Sequence, residues 1–259
     1  MSDPSPWPAL RRLTPARIGL GRHGASLPTR EVLALDTAHA LARDAVHLPL
    51  DGDALAAQLA EDGWSVLRAR SAAPDRATYL LRPDLGRRLD AGSAAELAAA
   101  AAGGRADADA ASAPSDLVVV VGDGLSARAV ASHARPLLAT VRALAPPTWR
   151  VGPVVIAEQA RVALGDPIGE AFGAVLVAVL IGERPGLSSP DSLGIYLTWA
   201  PRSGRTDAER NCISNVRPEG LPPADAARRL VWLCGEALRR RLTGVALKDG
   251  SDTPTLPAG

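Results

Sequence analysis

The sequence predicts an α/β protein: a Rossmann-like, mostly parallel sheet flanked by helices, preceded by a smaller, mainly helical N-terminal region. Three observations predict it. The runs 117–121 and 174–181 are apolar without alternation, the pattern of strands buried on both faces, which are usually parallel. Between and after them, strand-like segments alternate with amphipathic helical ones, the rhythm of βαβ units. The run at 174–181 then passes directly into Gly182-Glu183-Arg184-Pro185-Gly186. That is a tight turn at a strand's carboxyl end, where ligands of open parallel sheets bind. A turn with merely solvated charges has the same composition.

Residues 1–10 hold Pro4, Pro6 and Pro8 and read as an extended lead-in. The N-terminal region covers 11–110. Residues 11–30 contain five Arg. Gly21-Arg-His-Gly24 suits either an anion or a partner's carboxylates. Thr29 caps a helix over about 30–46, with Leu33, Leu35, Ala38, Leu41, Ala42 and Ala45 as its apolar stripe. A second helix fits 52–62, and 64–68 is a short extended piece. Pro83 suits a helix start, since its missing N–H would be unpaired there. Residues 91–113 are mostly Ala, Gly, Ser and Asp, with Gly103-Gly104 ending a helix in the first half. The loss of pattern places a domain boundary near 105–115.

The second domain covers 111–248. It opens on the strand 117–121. A helix over 126–144 follows, with Val130, Leu137, Leu138, Val141 and Leu144 on its apolar side and a kink at Pro136. Strands are expected at 151–157, 174–182 and 193–199. A loop covers 161–167, and a short helix 168–173. Residues 201–215 read as polar and irregular. A closing helix fits 222–242, and 249–259 is a flexible tail.

Composition excludes several functions. A chain of 259 residues, 47% hydrophobic, is long enough for a sizeable core. A net charge of +1 gives no electrostatic reason to expect nucleic acid or an anionic membrane. No signal region or membrane span is visible, so an intracellular protein is expected. Of the 29 basic residues only Lys248 is a lysine, which leaves none inside a phosphate-binding glycine loop or a Schiff-base site. His23, His39, His47 and His133 form no HExxH, so no metal site is expected. Cys212 and Cys234 form no CxxC.

Gly122-Asp123-Gly124-Leu125-Ser126-Ala127 matches the glycine pattern of dinucleotide sites, after a strand and before a helix. The acidic residue that should follow about twenty positions on is missing. A nucleophile elbow fails, because position 128 is Arg128. Asp123 and Ser126 therefore either meet a polar ligand at the helix N-terminus or simply cap the helix.

Several longer motifs carry a resemblance. They are Leu13-Thr-Pro-Ala-Arg17 with Gly21-Arg22, Tyr79-Leu-Leu-Arg-Pro-Asp-Leu-Gly-Arg-Arg88, Asp123-Gly-Leu-Ser126, Arg161-Val162, Ile168-Gly-Glu170, Gly182-Glu-Arg-Pro-Gly186 and Asn211-Cys-Ile-Ser-Asn215. In order and spacing, from about residue 10 to 248, the chain resembles the small (light) subunit of ethanolamine ammonia-lyase. The resemblance implies an adenosylcobalamin-dependent lyase. Its adenosyl radical abstracts hydrogen from ethanolamine, and rearrangement releases acetaldehyde and ammonia. It implies a hetero-oligomer in which the large subunit holds the substrate, so no catalytic residue is expected in this chain. The family's cobalamin contacts fall on Val162, Glu183 and Cys212, with Asp123 and Ser126 as further contacts to the cofactor's tail. The chain lacks DxHxxG, in keeping with a family that leaves the cofactor's own base on cobalt. Residues 11–30 and 201–215 are expected to meet the large subunit. The location implied is the cytoplasm. Some members enter a bacterial microcompartment through a longer N-terminal extension than this one, which leaves that location open. A dinucleotide-binding oxidoreductase domain and a non-catalytic scaffolding subunit are the alternatives.

Overall fold

A computed structural model describes residues 5–106 and 115–251. Its centre is one six-stranded sheet in the order β1-β3-β2-β4-β5-β6. The strands are β1 (Val66–Arg70), β2 (Leu117–Gly122), β3 (Val151–Glu158), β4 (Leu176–Gly182), β5 (Leu193–Trp199) and β6 (Arg210–Val216). β1, β3, β2 and β4 run parallel, and β5 and β6 continue antiparallel from β4. β2 and β4 are buried at every position, as their unbroken apolar runs require.

The side-chain alternation of the strands splits the core into two layers. On one face, Val119, Val121, Ile156 and Leu180 pack against α3 (Gly52–Glu61), α6 (Ala127–Leu144) and α8 (Pro223–Arg240). On the other, Val118, Val120, Val155 and Val179 pack with Leu97 of α5 (Ala91–Ala106) and Ile168 of α7 (Gly165–Ala171). Helix starts follow capping chemistry: Asp51 accepts from Ala54 N at 2.9 Å, and Ser126 accepts from Ala129 N at 3.2 Å.

Several expectations change. Thr29 does not cap the helix expected over 30–46: it is the first residue of α2 (Thr29–His47), Pro28 stands at the cap position, and no side-chain cap bond forms. The lead-in contains one helical turn, α1 (Trp7–Leu10). In α2 (Thr29–His47) only Ala38 and Ala45 are buried; Leu33 and Leu41, expected in the apolar stripe, lie outward. Pro83 does not open a helix. α4 (Arg76–Leu81) ends before it, and Arg82 at φ −125°, ψ 73° is driven out of the helical region by the proline that follows. α5 runs through Gly103-Gly104 to Ala106, since a glycine in a helix costs only about 1 kcal/mol relative to alanine. The "irregular" stretch 201–215 ends in β6, the outer strand of the sheet.

The turn at Val162–Leu164 leads directly into α7, which starts at Gly165 instead of Ile168. The boundary expected near 105–115 falls mostly on 107–114, outside the described residues, as does the tail from 252 on. The sheet takes its edge strand β1 from the N-terminal region. Among the described residues no helix is long and apolar enough to cross a membrane.

Candidate functional site

The parallel strands reverse direction of winding at β2. Its neighbours are β3 on one side and β4 on the other, and ligands of such sheets settle in the crevice between the two following loops. Here the protein fills that crevice itself. Gly124 has φ +56°, and a Cβ on it would stand 2.2 Å from Gly182 O. Leu125 N donates to the same oxygen at 2.9 Å. A Cβ on Gly122 would stand 2.9 Å from that of Ala160. The glycines of the dinucleotide-like pattern therefore serve the close approach of backbone to backbone, and they leave no open cradle for a phosphate.

Asp123 and Ser126 face inward with them. Asp123 is 2% exposed. Its Oδ1 accepts from Ala160 N at 2.9 Å and its Oδ2 from Arg76 Nη1 at 3.0 Å. Burial pushes this carboxyl up, against the pull of Arg76 and of the backbone N–H groups. Ser126 donates to Pro190 O at 2.8 Å while capping α6. Beside them, the guanidinium groups of Arg76 and Arg161 each lie over the Tyr79 ring, 4.8 and 4.4 Å from its centroid. Its hydroxyl donates to Ala160 O at 2.9 Å, and burial raises its pKa to about 12. This cluster fastens α4 to the ends of β2 and β3.

The other three expected residues gather elsewhere, on the α5/α7 face of the sheet. Glu183 follows β4. Its Oε2 accepts from Ser192 Oγ at 2.5 Å and from Asn215 N at 3.3 Å. Its Oε1 leans over Gly194, where a Cβ would stand 2.9 Å away. Two residues along β5, Tyr196 lies in register with Val179 on one side and Cys212 on the other. Val162 packs on this same face, in the core cluster that Val179 and Tyr196 share. Tyr196 is half-buried and Cys212 exposed. Glu183 and Cys212 thus flank Tyr196, and Val162 lies in the same layer of the sheet.

Reading the sequence did not single out Tyr196, Gly194 or Ser192. The signal was available: a period of two carries Gly194 and Tyr196 onto one face of β5.

Covering of its sulfur raises the Cys212 pKa. The charge of Glu183 adds to this, and the Tyr196 hydroxyl opposes it. Alkylation of Cys212 at pH 8 should therefore be slower than that of a free thiol and faster in Glu183→Gln. Iodoacetamide labelling followed by mass spectrometry reads this, since Cys234 is fully buried with its thiol pushed far up. Equal rates in the two proteins would show that the carboxylate does not act on the thiol.

β6 is anchored below the site. Arg210 Nη1 and Nη2 donate to Asp166 Oδ1 and Oδ2 of α7, each at 2.7 Å. Nη1 also reaches Thr198 Oγ1 at 2.8 Å, and Nη2 reaches Arg205 O at 3.0 Å. Both charged side chains are 1% exposed. Among the described residues, no group of three or more His, Cys, Asp and Glu side chains could hold a metal ion.

These features define a mixed α/β protein whose glycine-rich switch-point loop is closed by its own chain, and whose polar groups collect on an open flank of the sheet. The profile of the family described as ethanolamine ammonia-lyase light chain (EutC) matches residues 4–248, and the chain belongs to that family. It is 57% identical to the ethanolamine ammonia-lyase small subunit of Ralstonia nicotianae, over 98% of this chain and 92% of that one. It is 56% identical to the small subunit of Azotobacter vinelandii, over 99% and 94%. Identity to the one from Pseudomonas syringae pv. tomato is also 56%, over 97% and 86%.

Proposed function

We propose that this chain is the small subunit of an adenosylcobalamin-dependent ethanolamine ammonia-lyase and completes a cobalamin site shared with the large subunit. The observation that carries the reading is the Glu183 carboxylate, fixed by Ser192 and Asn215 N on the face of the sheet that also holds the exposed Cys212 and Val162. Corrin amides offer N–H donors. A carboxylate that takes two donors on Oε2 keeps acceptor capacity on Oε1, and a charged acceptor makes the stronger bond. Val162 supplies an apolar wall, and the small Cys212 permits close approach. The residues fit the group. Asp123 and Ser126 enter the proposal as positioning residues that hold the loops behind the site.

When bound, adenosylcobalamin supplies the radical chemistry that converts ethanolamine to acetaldehyde and ammonia. The work of this chain is to accept the amide hydrogen bond at Glu183, to present an apolar wall at Val162 and to exclude water from that side. The order β3-β2-β4, with α6 and α7 on opposite faces, supports a Rossmann-like reading of the parallel half. Residues 111–248 would then form the cofactor domain, with β1 contributed by the helical region before it. The proposed location is the cytoplasm.

The test uses the complex with the large subunit. Glu183→Ala should weaken cobalamin retention about 10- to 100-fold, the worth of one hydrogen bond to a charged group, with subunit assembly unchanged. Bound cobalamin is read by absorbance after gel filtration. Acetaldehyde should form only when both chains, cofactor and ethanolamine are present. Undiminished retention in an assembled Glu183→Ala complex would remove Glu183 from the site.

A further inference from the structure

We propose that residues 5–37 form a docking arm for an apolar surface of the large subunit rimmed with acidic groups. The inference rests on the reading that the chain works with such a partner. From residue 5 to residue 37 no residue is buried. Trp7, Leu10, Leu13, Leu27, Val32 and Leu33 are exposed by 44, 42, 82, 46, 41 and 60%. Isolated exposed apolar residues are ordinary, but six of them along one short stretch of chain point to an interaction surface.

The arm nevertheless has a shape of its own. Arg11 Nε donates to Ile18 O at 2.9 Å, and its Nη2 reaches Gly19 O. Gly19, at φ +57°, lies under Trp7. His23 and Ser26 exchange backbone hydrogen bonds of 2.8 and 3.1 Å. Ordering each residue costs about 1–2 kcal/mol, and this stretch offsets that with only partial covering of residues such as Ile18, Leu20 and Leu35. A partner's surface supplies the missing burial. The outward Leu41 and Leu48 extend the same apolar character along α2 and past its end.

Charge selects the partner. Residues 5–37 carry five Arg against Glu31, which pairs with Arg30, and Asp36. A two-fold contact between copies would lay this patch on itself, setting like charges face to face, which disfavours it. A different chain with carboxylates around an apolar patch meets both features.

Hydrogen exchange on the isolated chain and on its complex with the large subunit reads the arm directly. Added protection over 5–37 is expected in the complex, beyond what the isolated chain shows. The double variant Leu13→Asp/Leu33→Asp should keep the unfolding midpoint of the isolated chain, because neither side chain is buried. It should weaken assembly by about tenfold or more. Arg12→Glu/Arg22→Glu should weaken assembly as well and reduce its sensitivity to salt. If the wild-type chain assembles with the large subunit and the Leu variant assembles equally well, the inference fails while the proposed function stands. Concentration-dependent protection in the isolated chain, lost in the variant, would name a second copy as the occupant and also overturn it. If the wild-type chain does not bind the large subunit at all, the proposed function itself falls.

Discussion

Asp166→Ala is expected to lower the unfolding free energy by about 3–5 kcal/mol, the cost of leaving one member of a buried ion pair alone. The Arg210 side chain is 1% exposed and cannot shed its proton. Without Asp166 it keeps Thr198 Oγ1 and Arg205 O as acceptors, but both are uncharged. Asp207 Oδ1 lies 3.6 Å from Arg210 Nε, yet its side chain is 96% exposed, so water screens it. Arg210→Met should cost less, because Asp166 can take up a proton once its partner is gone. The two single variants and the double variant, compared by urea unfolding, form a cycle that isolates the pair. A loss below about 1 kcal/mol in Asp166→Ala would show that the pair is not held dry.

The second large effect is expected at Gly182→Ala. A Cβ there would stand 2.1 Å from Ser126 O, 2.6 Å from Ser126 C and 2.7 Å from Asp123 O. All three are backbone atoms, so no rotamer change can make room. Overpacking costs about 1–3 kcal/mol and sometimes more; we expect the upper end, about 3 kcal/mol. Relief would require the loop after β2 to move away, which would disturb the Ser126 cap and the Asp123–Ala160 bond together. Gly24→Ala is the control. Gly24 also has positive φ, at +62°, but nothing lies within 4 Å of its Cβ position, so only backbone strain of about 1–2 kcal/mol applies. Thermal unfolding of the two variants reads the difference. Equal midpoints would mean that the loop yields easily.

How much was legible follows from burial on each side of an element. β2 and β4 have helices on both faces, so their sequences are unbroken apolar runs and are read correctly. α6 and α8 are covered along one side and show it in their spacing. β6 was missed because an edge strand needs few apolar residues: only Ile213 and Val216 carry its hydrophobic character, and its buried Arg210 reads as polar. α2 misled because its leucines point both ways: Leu33 and Leu41 lie outward and Leu35 is partly covered. At the site, Glu183 was marked by its turn, whereas Val162 and Cys212 rested on family resemblance alone. Asp123 and Ser126 look from sequence like ligand contacts or caps. Only their hydrogen bonds to Arg76, Ala160 and Pro190 and the close backbone approach at Gly124 show that the chain closes over them.

The place of β1 has a consequence for synthesis. Among the described residues its only sheet partner is β3, and Arg70 of β1 pairs with Glu158. At about 5–20 residues per second, a nascent chain makes β1 roughly 4 to 18 s before its partner strand is complete. The usual N-terminal-first order of folding is therefore reversed for this sheet. The contiguous unit β2-α6-β3-α7-β4 closes through shorter loops and forms first. The earlier-made segment waits as an unpaired edge, exposed to aggregation or to a chaperone, until a template made after it reaches the ribosome exit.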